Sequence, residues 1–391
     1  MIITLIGCGC GSLTREAETA IREAGLLIGA KRLLEACGAG KRCVEAVAAK
    51  EIAAAIEASA EDAACVLLSG DSGFYSGARL LLPQLEGRDV RVLPGISSVQ
   101  AFAAMLGESW QDWRLCSAHG VDCDPVAELC HGKPAFFLTG GRQDPAALCR
   151  ELCAAGLGFL RVAVGEELGT ERERVVRGSA EELQLQSFAP LSVMLAEAAP
   201  MPVRRAPGWP DAFFLRREGV PMTKQEIRAA AIAKLGVGPE DTCWDVGAGT
   251  GSVGIELSML CRRVYGVERD TAALAAAEEN RRRLGAWKLR LIEGTAPEVL
   301  EGLPAPDAVF VGGSGGKLRE ILCAVHDANP KARVCVSALT LESLHNAITT
   351  LRTLGMETEV AQISVSRSRK AGEMTMMLAQ NPVYLIAGCA P

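Results

Sequence analysis

An α/β fold with two domains is predicted by three observations. Two glycine-rich loops each follow a short apolar run, strand and helix signals alternate along most of the chain, and a proline-rich break separates the halves. The first loop, Gly7-Cys8-Gly9-Cys10-Gly11-Ser12, follows Ile2-Ile3-Thr4-Leu5-Ile6. The second, Gly247-Ala248-Gly249-Thr250-Gly251-Ser252, follows Thr242-Cys243-Trp244-Asp245-Val246. A strand that ends in glycines and opens into a helix brings backbone N–H groups close to a nucleotide-like ligand. Two such loops of different type, far apart, predict two domains that each hold a small-molecule cofactor.

Bulk properties agree. A chain of 391 residues fits two domains better than one. Apolar residues make up 49% and charged residues 23%, an ordinary globular balance. Few aromatics and many Ala, Leu and Gly favour helix-rich α/β layers over a β-sandwich. The net charge of −6 argues against a broad nucleic-acid surface, so no nucleic-acid partner is expected. No apolar run approaches the roughly 20 residues that span a bilayer, and the N-terminus lacks a basic leader, so neither a membrane partner nor a signal peptide is expected. The fifteen cysteines include no C-x-x-C pair, and only four histidines could assist them. No metal is expected: reduced thiols packed as small hydrophobes, in a cytoplasmic protein, is the simpler reading.

In the first half, strands are read at Ile2–Ile6, Leu26–Gly29, Ala63–Leu68, Val90–Leu93 and Ala135–Leu138. Helices are read at Leu13–Ala24 and Ile96–Leu106, the latter capped by Ser97 or Ser98. Ser69-Gly70-Asp71-Ser72-Gly73 is too glycine-rich for regular structure. Val162–Gly165, Arg174–Arg177 and Leu191–Leu195 are strand-like. The boundaries follow as a domain over 1–200, a proline-rich linker over 201–217 and a domain over 218–391. Beyond an amphipathic helix at Lys224–Leu235, strands are expected at Thr242–Val246, Arg263–Val267, Leu289–Ile292, Ala308–Val311, Arg333–Ser337, Glu359–Val365 and Met374–Ala379. Helical patterns between the first six predict a mainly parallel sheet.

Glu268 ends the second of these strands about twenty residues after the second glycine loop, a distance that suits an acidic partner for two ribose hydroxyls. The frame Gly247-x-Gly249-x-Gly251 resembles the class I S-adenosylmethionine methyltransferase loop rather than the dinucleotide pattern. The Asn-Pro-Pro-Tyr-like motif of amino-group methyltransferases is absent after the fourth strand. Gly312-Gly313-Ser314-Gly315-Gly316 stands there instead, leaving space and N–H donors suited to a carboxylate.

Together with Pro221-Met222-Thr223-Lys224-Gln225-Glu226-Ile227-Arg228 and Met376-Met377-Leu378-Ala379-Gln380-Asn381-Pro382-Val383, these motifs make the second half resemble the decarboxylating precorrin carbon-15 methyltransferases of cobalamin synthesis. The first half resembles the tetrapyrrole methylase family, in its carbon-5 precorrin branch, through Leu68–Tyr75, Leu93–Ser98 and Gly165–Gly169. The resemblance implies a two-lobed tetrapyrrole methylase domain followed by a class I methyltransferase domain with a Rossmann-like seven-stranded sheet. It also implies S-adenosylmethionine as cofactor, a precorrin substrate and a homo-oligomer, dimer or tetramer. Methylation at carbons 5 and 15 and loss of the ring-C acetate are the implied reactions.

Cofactor positions carried over to the first half are Gly70, Asp71, Ser72, Ser97, Ser98, Leu138 and Thr139. Those carried to the second half are Thr223, Gly247, Ala248, Gly249, Thr250, Gly251, Glu268 and Ala296. Gly313, Ser314 and Gly315 are candidates for gripping the acetate. Asp71 reads either as a catalytic base or as a loop aspartate bonding backbone amides. Cys10 and Ser12 replace the Pro and Asp common in the family's first loop, which leaves that loop without an acid. A polycarboxylate substrate asks for local positive charge, and Arg367, Arg369 and Lys370 are the candidates, with a solvated face as the plain alternative. Arg281-Arg282-Arg283 reads as solvated, while His119 and Tyr75 are candidate cleft residues by position. Two other readings stay open, an RNA methyltransferase and a non-catalytic binder of S-adenosylmethionine or tetrapyrrole.

Overall fold

Residues 1–9, 11–38, 40–202 and 206–391 are described by the computed structural model of the chain. Cys10 and residues 203–205 of the expected linker lie outside the described residues. Two units are seen: Met1–Leu129, Lys133–Ala154 and Gly158–Ala198 form the first, and Cys130–Gly132, Ala155–Leu157 and Ala199–Pro391 the second. Among the described residues no helix is long and apolar enough to cross a membrane.

In the first unit, β1 (Ile2–Cys8), β2 (Leu26–Gly29), β3 (Arg42–Glu45), β4 (Ala63–Ser69) and β5 (Asp89–Leu93) make a parallel sheet ordered β3-β2-β4-β1-β5. The apolar runs of β1, β2 and β4 suit strands covered on both faces. Alternation along the strands sends Ile3, Leu5, Ile28 and Val66 against Ile52 and Ile56 of one helix. It sends Ile6, Leu27, Cys65 and Leu67 against Ile21 of another. Ser97 rather than Ser98 caps the helix Ser98–Leu106, in a capping box with Gln100.

A second sheet holds β6 (Arg114–Ser117), β7 (Ala135–Leu138), β8 (Arg161–Glu166), β9 (Arg174–Ser179) and β10 (Ser192–Ala196) in the order β6-β7-β10-β8-β9. Only its β6–β7 pairing is parallel. The short strands β3 and β6 escape sequence reading because neither carries an apolar run; three of the four residues of β3 are exposed. Phe102, Trp113 and Phe136 pack together under the second sheet, with Trp113 stacked on Phe136 at 6.3 Å.

The first glycine loop has a packing role. A Cβ on Gly7 would lie 2.6 Å from the backbone nitrogen of Gly95, and one on Gly9 would lie 1.7 Å from the carbonyl oxygen of Ile96. The turns after β1 and β5 therefore touch backbone to backbone.

The second unit contains β11 (Thr242–Val246), β12 (Arg263–Glu268), β13 (Leu289–Glu293), β14 (Ala308–Val311), β15 (Arg333–Ala338), β16 (Glu357–Ile363), β17 (Ser366–Ala371), β18 (Met374–Ala379) and β19 (Val383–Cys389). Seven of them form a sheet ordered β13-β12-β11-β14-β15-β19-β16, with β19 antiparallel to both neighbours and the rest parallel. The seventh strand is thus Val383–Cys389, not Met374–Ala379. The latter pairs with β17 as a separate ribbon, and all six of its residues are exposed. Its methionines mimic a core strand in composition, whereas β19 buries Leu385 and Ile386 inside the sheet.

The expected linker also differs. Trp209, Asp211 and Phe214 are buried at 2%, 7% and 4% exposure, so its described C-terminal part belongs to the core of the second unit. The cause is Arg228, on the inner face of the helix Gln225–Leu235. Its guanidinium donates to the Trp209 and Thr223 carbonyls and pairs with Glu256, which in turn accepts the N–H groups of Gly208 and Trp209.

Gly9→Ala is expected to lower the unfolding free energy of the first unit by about 3 kcal/mol, because backbone rather than a side chain must move. Gly77→Ala, in the same unit and with its nearest atom 4.0 Å from the new methyl, should change it by less than about 0.5 kcal/mol. Urea unfolding of the two variants checks the contrast, and equal midpoints would refute it.

Candidate functional site

Strand order in the large sheet reverses between β11 and β14, and a crevice opens at the carboxyl ends of strands at such a point. Gly247 leaves β11 with φ +74°, and a Cβ there would lie 2.6 Å from the backbone nitrogen of Gly313 beyond β14. Gly249, at φ +56°, would set a Cβ 2.6 Å from the Pro221 carbonyl oxygen. Only glycine allows both the left-handed turns and the approach.

Donors of this loop point inward. Gly247 and Ala248 both donate to the Val267 carbonyl, Gly251 to the Ala248 carbonyl, and Gly249 to Glu268 Oε2 at 2.8 Å. Likewise the N–H groups of Gly312 and Gly313 donate to Val246. The loops therefore serve a ligand chiefly by leaving room, and less by the N–H donors expected of them. Glu268 Oε1 accepts from the N–H groups of Arg269 and Asp270, and a carboxylate holding three such bonds keeps lone pairs for a hydroxyl.

A cavity of about 320 Å³ occupies the crevice. Its wall includes Gly247, Gly249, Glu268, Ala296, Gly313, Ser314 and Gly315, all named from the sequence. Thr223, Ala248, Thr250 and Gly251 are not on that wall among the described residues. Sequence reading missed Arg269, Lys317 and the lip residues Gly219 and Val220, which stand beside Pro221. A lone arginine after an acidic residue gives no signal in one dimension, and Gly219-Val220 falls between the linker read at 201–217 and the motif that opens at Pro221.

Asp245 sits beneath this floor. Its Oδ2 accepts from Gly254 N–H at 2.7 Å, while Oδ1 is buried without a hydrogen-bond partner among the described residues. Burial pushes the carboxyl up to about 7, with nearby Glu268 adding to the rise and the Gly254 N–H opposing it. The Thr250 hydroxyl is also buried and unpartnered among the described residues. The glycine cradle above them, which any Cβ would fill, fits a small ligand such as a methyl donor.

The basic candidates divide. Arg367 is engaged by Asp211 and Glu226, so its charge is already balanced inside the protein. Arg369 and Lys370 are exposed on the ribbon. Arg281, read as solvated, is buried, pairs with Glu278 and lies 5.9 Å over the Trp287 ring.

In the first unit, Gly70 follows β4 at φ +74° with open space beside it. Asp71 accepts from Gly73 N–H at 2.8 Å through Oδ1 and from Gly95 N–H at 3.1 Å through Oδ2. Each oxygen thus holds one backbone N–H, as the loop-bonding reading of Asp71 expects. That bond joins Gly70-Asp71-Ser72 to the Gly95–Ser98 turn. Ser97 is held by its cap, Ser98 is half-buried, and the Thr139 hydroxyl donates to the Ser192 carbonyl at 2.7 Å. Leu138, half-buried, precedes Thr139 at the end of β7. Tyr75 has φ +47°, unusual for a bulky residue, and its hydroxyl donates to the Leu115 carbonyl at 2.9 Å. His119 Nδ1 lies 3.3 Å from the Thr139 carbonyl oxygen.

Comparison with known proteins places both halves. Residues 211–388 match the precorrin methyltransferase domain family, and residues 3–184 match the tetrapyrrole (corrin/porphyrin) methylases. A Sinorhizobium precorrin-6Y C(5,15)-methyltransferase [decarboxylating] is 30% identical over 394 residues, covering 97% of this chain and 94% of that protein. A Pyrobaculum calidifontis protein named "probable cobalt-precorrin-6B C(15)-methyltransferase (decarboxylating)" is 43% identical over 188 residues, 47% of this chain and 96% of its own. The crystal structure of precorrin-6y C5,15-methyltransferase from Geobacter metallireducens is 36% identical, covers 49% of this chain and 100% of that one, and has a TM-score of 0.45.

A carboxyl kept protonated by the fold favours folding at low pH and loses that advantage as pH rises from 3.8 toward about 7. Between pH 5 and 7, wild-type stability measured against Asp245→Asn is therefore expected to fall by about 2 kcal/mol. Urea midpoints across that range test it, and parallel pH curves for the two proteins would contradict it.

Proposed function

The chain belongs to the family of decarboxylating precorrin-6Y C(5,15)-methyltransferases, and on that premise we propose that its first unit methylates carbon 5 while its second methylates carbon 15 and removes the ring-C acetate. The observation that carries this reading is the glycine crevice at the sheet's switch point, in a chain that matches the bifunctional relative nearly end to end.

S-adenosylmethionine is the proposed methyl donor of both units; bound, it supplies an electrophilic methyl group on a sulfonium. In the second unit Gly247 and Gly249 leave the space for it, Glu268 takes its ribose hydroxyls, and Ala296 flanks it. Asp245 supplies a buried carboxyl whose ionised form favours a nearby cation. In the first unit the Gly70-Asp71-Ser72 loop, the Ser97–Ser98 helix start and Leu138-Thr139 form the corresponding cleft, with Asp71 holding two of these turns together. No single acid or base is required of such residues, because fixing the acceptor carbon in line with a methyl group supplies much of the acceleration.

Decarboxylation is a matter of placing the acetate. Its carboxyl–methylene bond breaks, carbon dioxide leaves, and the electron pair enters the conjugated macrocycle, where it supports bond formation at carbon 15. Gly313, Ser314 and Gly315 line the cavity, and the acetate is assigned to them because an uncharged wall does not hold the charge that decarboxylation removes.

Full-length protein given precorrin-6Y and S-adenosylmethionine is expected to add two methyl groups and release one carbon dioxide, as read by mass spectrometry and gas capture. Gly249→Val, whose side chain meets the Pro221 carbonyl, should remove only the decarboxylating methylation. Gly70→Val, whose side chain enters the open space of the first cleft, should remove only the other. Absence of both products from the wild-type protein would sink the proposal.

A further inference from the structure

Among the residues lining the second unit's cavity, the cations are Arg269 and Lys317. Lys317 is already paired with Glu298. Arg269 is exposed, and its guanidinium has no carboxylate within ion-pair distance among the described residues. The acids on either side of it in the chain are otherwise engaged: Glu268 accepts three backbone N–H groups, and Asp270 caps the helix Thr271–Arg283 through Ala273 N–H. Arg269 reaches from the end of β12 to the loop beyond β14, where a Cβ on Gly315 would lie 2.8 Å from its Nη1. Glycine at 315 thus leaves room for the guanidinium at the edge of the loop proposed to hold the acetate.

Resting on the function proposed above, we infer that Arg269 is a substrate-binding residue that receives a side-chain carboxylate of the precorrin macrocycle at the mouth of the cavity. Three facts on the molecule converge on a carboxylate. The chain carries a net charge of −6, so an unbalanced cation in a cavity is a local exception to its field. A planar guanidinium takes a carboxylate through two parallel N–H bonds. Arg369 and Lys370 lie on the separate ribbon and Arg367 is neutralised, which leaves Arg269 as the cavity's available positive group. The carboxylate it holds is one that stays on the macrocycle. An ion pair stabilises the charged acetate and would oppose its loss, so the leaving carboxylate belongs on the uncharged Gly313–Gly315 wall. Arg269 orients the ring, and the glycine loop receives the group that departs.

The donor also carries a carboxylate, and the test separates the two sources. With wild-type turnover of precorrin-6Y established first, Arg269→Gln is expected to raise the precorrin KM of the carbon-15 reaction about tenfold or more. The Kd for S-adenosylmethionine, measured by calorimetry, should stay within about twofold, as should carbon-5 methylation. Arg269→Lys, which keeps the charge and loses the fork, should fall between wild type and Arg269→Gln, with a KM that rises more steeply with salt than that of Arg269→Gln. If the donor Kd weakens while the precorrin KM holds, Arg269 serves the donor and the inference is overturned. It is equally overturned if neither constant moves. A wild-type protein inert toward precorrin-6Y would instead refute the proposed function, a separate outcome read before any variant is made.

Discussion

Contact of backbone with backbone, allowed only where side chains are absent, is the constraint on which both units rest. In the first, Gly7 and Gly9 meet the turn at Gly95 and Ile96; in the second, Gly247 meets Gly313. Each contact joins turns that leave neighbouring parallel strands, and so sets the width of the opening at the sheet's carboxyl edge. The two contacts have different consequences. The first closes the turns over β1 and β5 and leaves open space beside the later loop at Gly70. The second leaves a cavity, because the reversal of strand order at β11 and β14 draws the chain apart on either side of it.

Charge in the second unit follows burial rather than abundance. Arg228 and Glu256 are fully buried, a costly arrangement that stands because backbone donors and acceptors satisfy both. Their bonds hold the Gly208–Thr223 segment against the sheet, and that segment supplies the lip of the cavity. Asp245 is the reverse case, a buried carboxyl given one donor and left incomplete. Arg269 is a third case, exposed and unbalanced. Thus a fastening, a titratable floor and a mouth with positive charge all surround one crevice.

Much of this was legible in one dimension. Glycine spacing and the apolar runs of β11, β12 and β14 located the second loop, because a parallel strand covered on both faces must be apolar along its length. Glu268 and Gly313 followed from their distances along the chain. The same reasoning failed at Met374–Ala379, where apolar composition marks an exposed ribbon, and at Trp209, where flanking prolines conceal a core residue. It offered N–H donors at the glycine loops, yet most of those donors are used inside the protein.

By itself, then, the sequence determined the two α/β halves, the positions of the glycine turns and the acidic residue that ends β12, since these depend on local sterics and periodicity. Tertiary structure alone decided which polar groups remain free for a ligand. Asp71 took the N–H groups of Gly73 and Gly95, Arg367 was balanced by Asp211 and Glu226, and Arg269 was left open. The physical reason is that a charged group's availability depends on partners brought from distant positions by the fold, and spacing along a chain does not encode them.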